Sequence, residues 1–153
     1  MKLAEALALR ADCQRRVEQL RARIAGSATY QEGAGPAEDA AALLVEADEV
    51  LDQLESLIRR INRTNSATGL GADGSLTDAL ARRDALRLRH AVLVGAADAA
   101  SGSGGYRQLR SELRQLSALP VAVLRTRADG VAREVRELDS RIQQANWSVE
   151  LAD

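Results

Sequence analysis

Along four stretches of this chain, apolar side chains recur alternately three and four residues apart, and that spacing constrains the fold more than any other feature. The first row is Leu3, Ala6, Arg10, Cys13, Val17, Leu20 and Ile24, and the second is Ala40, Leu44, Ala47, Leu51, Leu54, Ile58, Ile61 and Asn65. The third is Leu76, Ala79, Arg83, Leu86, His90, Leu93 and Ala97, and the fourth is Val121, Leu124, Ala128, Val131, Val135, Leu138, Ile142 and Ala145. A 3–4 alternation keeps one stripe of a helix facing a neighbour. Strands would need a period of two. The core available is Ala, Leu, Val and Ile, with no Phe, two Tyr and one Trp. Small aliphatic side chains suit close helix packing better than a sandwich or barrel.

The expected architecture is therefore all-α. It is an antiparallel long-helix bundle of coiled-coil character, with an irregular or extended segment around 101–120. One domain of 153 residues is expected, with helices over about 2–25, 37–66, 76–100 and 121–147. "GSATYQEGAGP" and "TGLGADGS" carry glycine and proline punctuation and separate the helices. Ser75 or Thr77 is placed to cap the third helix. "SGSGG" marks the next break, and "YRQLRSELRQLSALP" is compatible with either a helix or an extended arm. A second stripe at Leu43, Val50 and Leu57 widens the buried face of the second helix beyond a two-helix seam and implies more than one neighbour. Such thin, Ala-rich seams bury little area per residue, so self-association into a homo-oligomer is expected.

The net charge of −1 argues against a general polyanion binder. It is unevenly spread: residues 1–81 hold 9 basic and 13 acidic groups, and residues 82–141 hold 12 and 7. Arg107, Arg110 and Arg114 form the candidate face for an anion or partner. A solvated, salt-bridged helix surface is the first reading of these basic groups, and nucleic acid is not the expected partner. Cys13, the single cysteine, allows no intrachain disulfide and falls on a seam slot.

Several motifs have bland readings. "GLGADG" matches a dinucleotide-binding spacing literally, but it follows a helix where that fingerprint needs a strand. His90 has no ligand-spaced partners, so no metal site and no cofactor is expected. Glu46 and Glu49 lack the Glu-x-x-His companion of a dimetal bundle site. No catalytic residue is assigned. The apolar run at the start is broken by Glu5 and Arg10, no stretch is long enough to span a bilayer, and a cytoplasmic location is expected.

The polar breaks in the seams concentrate toward one end if the helices alternate in direction. They are Arg10, Asn62, Asn65, Arg83, Asp84 and Asn146, with Trp147 beside the last. Buried Asn and Arg need partners, so these positions are expected to share a hydrogen-bonded cluster. Such a cluster could fix helix register, sit wet at fraying helix ends, or bind a small ligand or anion.

The stretches "MKLAEALALRADCQRRVEQLRARI", "LIRRINRTNSAT", "LTDALARRDALRLR" and "RELDSRIQQANWSVEL" together resemble the septicolysin-like family of small bacterial proteins. The resemblance covers most of the chain, with "INRTN" and the late "NW" its most specific parts. It implies a helical protein and, by the family's name, a pore-forming cytolysin, and it brings no catalytic residue with it. Residues 101–120 are richer in leucine than the family pattern, and the glycine-rich loop at 69–74 is particular to this chain. The reading that follows is a non-enzymatic, self-assembling interaction or scaffold protein that also meets an unidentified protein partner. The alternatives are pore formation, or ligand binding at the polar end.

Overall fold

The computed structural model describes residues 1–102 and 113–153. The protein is all-α, and four long helices stand among the described residues: α1 (Leu3–Ser27), α2 (Ala40–Ala67), α3 (Leu76–Ala100) and α4 (Val121–Ser148). A 3₁₀ turn, Gly71–Asp73, lies between α2 and α3. The starts of α2 and α3 are written in their local chemistry. The Asp39 carboxylate accepts from the backbone N–H groups of Ala41 and Ala42, capping α2. Ser75 caps α3, and Asp78 returns a bond to the Ser75 N–H, closing a capping box. Those bonds from Ser75 hold the Asp78 carboxyl below the usual carboxylate range. Gly74 precedes this cap at φ 80°, and a Cβ there would meet the Asp78 carboxylate at 2.7 Å, so glycine is required.

The chain forms two compact units. The first comprises residues 1–69 and 144–153, and the second residues 70–143.

In the first unit α1 and α2 pack antiparallel. The seam of α1 is the expected row, with Leu3, Ala6, Cys13 and Leu20 buried. Along that pair, Arg16 Nε–H donates to Glu46 at 3.0 Å and Arg23 Nε–H to Glu38 at 3.0 Å. The bond from Arg23 holds the Glu38 carboxyl below its ordinary range.

The seam of α2 corrects the expected register. Its buried residues are Leu43, Leu57, Ile61 and Thr64. Leu44, Leu51 and Ile58, taken from the sequence as inward slots, are 53%, 44% and 36% exposed. Two apolar rows run side by side on this helix: the second stripe is buried at Leu43 and Leu57, as expected, and continues to Thr64, whereas the first row is buried only at Ile61. Asn65 is thus only half-buried, and Thr64 holds the slot the seam was expected to give it.

In the second unit α3 and α4 run antiparallel. Ion pairs mark the register: Arg125 with Asp98 at 3.2 Å near one end, and Arg83 and Arg87 with Asp139 at 3.4 and 2.9 Å further along. The buried seams are Leu76, Ala79, Leu86, Leu93 and Ala97 on α3, with Leu124, Ala128, Val131, Leu138 and Ile142 on α4, as their spacing implied. Gly130 has open space where a Cβ would lie, so no close helix approach demands it. Residues 113–120 are non-helical and exposed. Whether 106–112 are helical lies outside the described residues.

Candidate functional site

The richest polar construction in the first unit gathers the start of α1, the end of α2 and the segment after α4. The chain leaves α4 at Ser148 and runs extended along the N-terminal residues. Leu3 N–H donates to the Val149 carbonyl and Leu151 N–H to the Met1 carbonyl, both at 2.9 Å, forming an isolated bridge between Lys2 and Glu150. Lys2 Nζ donates to the Ser148 carbonyl at 3.0 Å and pairs with the Glu150 carboxylate at 2.7 Å. The Met1 amino group reaches the other Glu150 oxygen at 3.1 Å. The bond from Lys2, then that from the Met1 amine, lowers the Glu150 carboxyl pKa. The interaction is complete above the ordinary carboxylate range and is lost as pH falls through the lowered value.

The end of α2 grips the same segment. Ala152 N–H donates to Thr64 Oγ1 at 2.9 Å, and Thr64 Oγ1–H donates to the Arg60 carbonyl at 2.8 Å. Arg60 Nε–H donates to the Ala152 carbonyl at 2.8 Å, and Arg63 donates to the Asp153 carbonyl. Leu151 is buried beside these bonds. Thr64 is a seam residue because a β-branched side chain of valine size fits there, and its hydroxyl supplies the acceptor that an aliphatic side chain lacks. Thr64→Val is therefore expected to cost about 1–2 kcal/mol, the penalty of stranding the Ala152 N–H. Hydrogen exchange should show the Ala152 amide losing protection while the amides of α1 keep theirs.

Beside this clasp lies an open cleft of ≈ 390 Å³, lined by Asp52, Glu55, Ser56, Arg59, Arg60, Arg63 and Asp153. Arg59 pairs with Glu55 at 3.3 Å, and Arg60 lies 3.8 Å from the Asp153 carboxylate. Chemically this is a mixed-charge groove able to hold an anion or a polar peptide.

The residues singled out from the sequence fall as follows. Asn146 is buried, Asn65 half-buried, Asn62 and Trp147 exposed, all in the first unit. Arg10 sits in the α1 seam with its Nε buried and without a hydrogen-bond partner. No hydrogen bond joins the side chains of Arg10, Asn62, Asn65 and Asn146 among the described residues. The ends of α1, α2 and α4 are held together instead by backbone groups of 148–153 with Lys2, Arg60 and Thr64. Arg83 and Asp84 belong to the second unit, where they pair with each other at 3.3 Å. Arg107 and Arg110 lie outside the described residues, and Arg114 is exposed.

Two further features were hidden in the sequence. Asp73, in the glycine-rich loop, has a side chain only 6% exposed and pairs with Arg82 and Arg141, both at 2.7 Å. "GLGADG" thus anchors a turn to α3 and α4. His90 lines a small cavity of ≈ 160 Å³ with Val94, Ala97, Arg125, Ala128 and Asp129. Among the described residues no cluster of His, Cys, Asp or Glu could hold a metal ion. Nor, among them, is any helix long and apolar enough to cross a membrane.

Paired long helices with a clasp at the end of α2 define a helical protein with no reaction centre assigned to it. The chain belongs to a family of unknown function, DUF6847, whose model matches residues 10–151. It is similar to a functionally unknown conserved protein from Corynebacterium diphtheriae, at 39% identity over 99% of each chain, and the crystal structure of that protein superposes with a TM-score of 0.92. A comparison with curated proteins finds no match.

Proposed function

We propose that this is a non-enzymatic helical interaction protein that assembles with itself and, through its assembled surface, meets a protein partner. The supporting observation is the amount of regular apolar surface left outside the seams: Leu44, Val45, Leu51 and Ile58 on α2, and Leu88 and Val92 on α3, are all at least 36% exposed. Isolated exposed aliphatics are ordinary, but rows repeating at heptad spacing on long helices suit a second helix. A cytoplasmic location goes with this reading. Sedimentation of the full chain from low to high micromolar concentration tests it: particles of a multiple of 16.4 kDa are expected. A monomer throughout would overturn it.

The cleft beside Arg59, Arg60 and Arg63 favours a second reading, anion binding. A thermal-shift series with phosphate, sulfate and nucleotides, repeated on Arg63→Ala, separates the two. The septicolysin-like resemblance adds pore formation, and dye release from liposomes at neutral pH would put that activity in place of the scaffold reading.

A further inference from the structure

Helix α3 is apolar on two opposite faces. One is the seam against α4. The other runs through Ala81, Ala85, Leu88, Val92, Gly95 and Ala99, again alternately three and four apart and again without a charge. Every one of these positions is exposed in the folded chain, Leu88 by 71% and Val92 by 70%. Leu88 is two residues past the buried Leu86, so it points about 200° away around the helix. A solvated helix surface is ordinarily polar on the side away from its core, and on α3 the side that should be polar is a second seam.

The charges beside that seam say what fits it. With Ala85, Val92 and Ala99 as one set of core slots and Ala81, Leu88 and Gly95 as the other, one flank carries Asp84, Ala91 and Asp98. The opposite flank carries Arg82, Arg89 and Ala96. When two identical helices pair in parallel, unlike flanks meet, with a residue on one flank facing the residue five further on in the partner. Asp84 of each copy then faces Arg89 of the other, twice over by symmetry. Antiparallel pairing brings like flanks together, setting Asp84 against Asp98 and Arg89 against Arg89. Arg89 makes no ion pair among the described residues. We infer that α3 is a self-recognition helix: the outer face Ala81–Ala99 pairs in parallel with the same face of a second copy of this chain, cross-linked by Asp84–Arg89 pairs. This rests on the self-assembly reading above and names its surface.

The test uses the full chain. Leu88→Glu, at an exposed position, should keep the helical content by circular dichroism and weaken self-association in sedimentation at least tenfold. Arg89→Asp should weaken it as well, and adding Asp84→Arg should restore it, because the swapped pair is again complementary. For orientation, Ala81→Cys in a Cys13→Ser background should form a disulfide with itself under mild oxidation. Parallel pairing brings those positions within about 4.4–6.8 Å between Cα atoms, whereas the antiparallel register, with Leu88 against Val92, sets Ala81 opposite Ala99 and separates the two Ala81 positions by about 27 Å along the axis. Self-association that ignores Leu88→Glu, or that persists without an Ala81→Cys disulfide, overturns this inference and leaves the scaffold reading standing. A wild-type chain monomeric at every concentration overturns both.

Discussion

Leu57→Ala is expected to lower the unfolding free energy by about 3 kcal/mol, and Leu51→Ala by less than about 1 kcal/mol, although the two leucines are neighbours on the same helix. Leu57 is 4% exposed and Leu51 44% exposed. Truncating the first removes buried methyl groups and leaves a hole that rigid neighbouring helices close only in part. Truncating the second removes carbon that is already half in water. Urea titrations followed by circular dichroism, at a protein concentration too low for assembly, read both values directly. The comparison is a register test, because the row containing Leu51 and the row containing Leu57 are equally apolar in sequence. Equal losses, or the reverse order, would mean that α2 presents Leu44, Leu51 and Ile58 to α1 after all.

Asp73→Ala is expected to cost about 2 kcal/mol. Its side chain is 6% exposed and receives two guanidinium groups, from Arg82 and Arg141. Losing one partner of a buried ion pair ordinarily costs about 3–5 kcal/mol. The arginines here are 52% and 45% exposed, so water recovers part of that loss and the figure is discounted accordingly. In a chain of this size the change corresponds to a melting temperature lower by about 4–8 °C. Arg82→Ala alone should do less, since Arg141 still satisfies the carboxylate. A double-mutant cycle on Asp73 and Arg141 should give a coupling that the exposed pair of Asp84 with its neighbour Arg83 does not show. An unchanged melting temperature for Asp73→Ala would mean that the glycine-rich turn is not anchored through this carboxylate.

The candidate site was legible in outline and misread in detail. The convergence of the start of α1 with the end of α2 follows from two helices that reverse direction across one glycine-rich break, and residues 144–153 join them in the same unit. The groups that join them are different from those the sequence suggested. Asparagines and arginines in seam slots drew attention because unpaired polar side chains are costly inside. The bonds found there come largely from main-chain N–H and carbonyl groups of residues 148–153, which carry no signature in residue type. Thr64 was overlooked because the stripe of Leu43, Val50 and Leu57 was ended one heptad short of it, and the first row led to Asn65 instead. Asp73 was overlooked for a related reason: a carboxylate in a glycine-rich loop looks solvated until Arg82 from the next helix and Arg141 from far along the chain supply its partners.

The sequence by itself determined the period of every helix, the inward rows of α1, α3 and α4, a cap for α3 at Ser75 or Thr77, and the positions of the breaks. These depend on local spacing and local hydrogen bonding, and a linear pattern carries both. Only the tertiary structure decided that Leu44, Leu51 and Ile58 on α2 stay exposed, that Thr64 and Arg60 hold the segment after α4, and that the outer face of α3 is left uncovered. Helical periodicity fixes how often a side chain returns to a face, and it is the neighbouring helix, through pairs such as Arg16 with Glu46, that chooses the face.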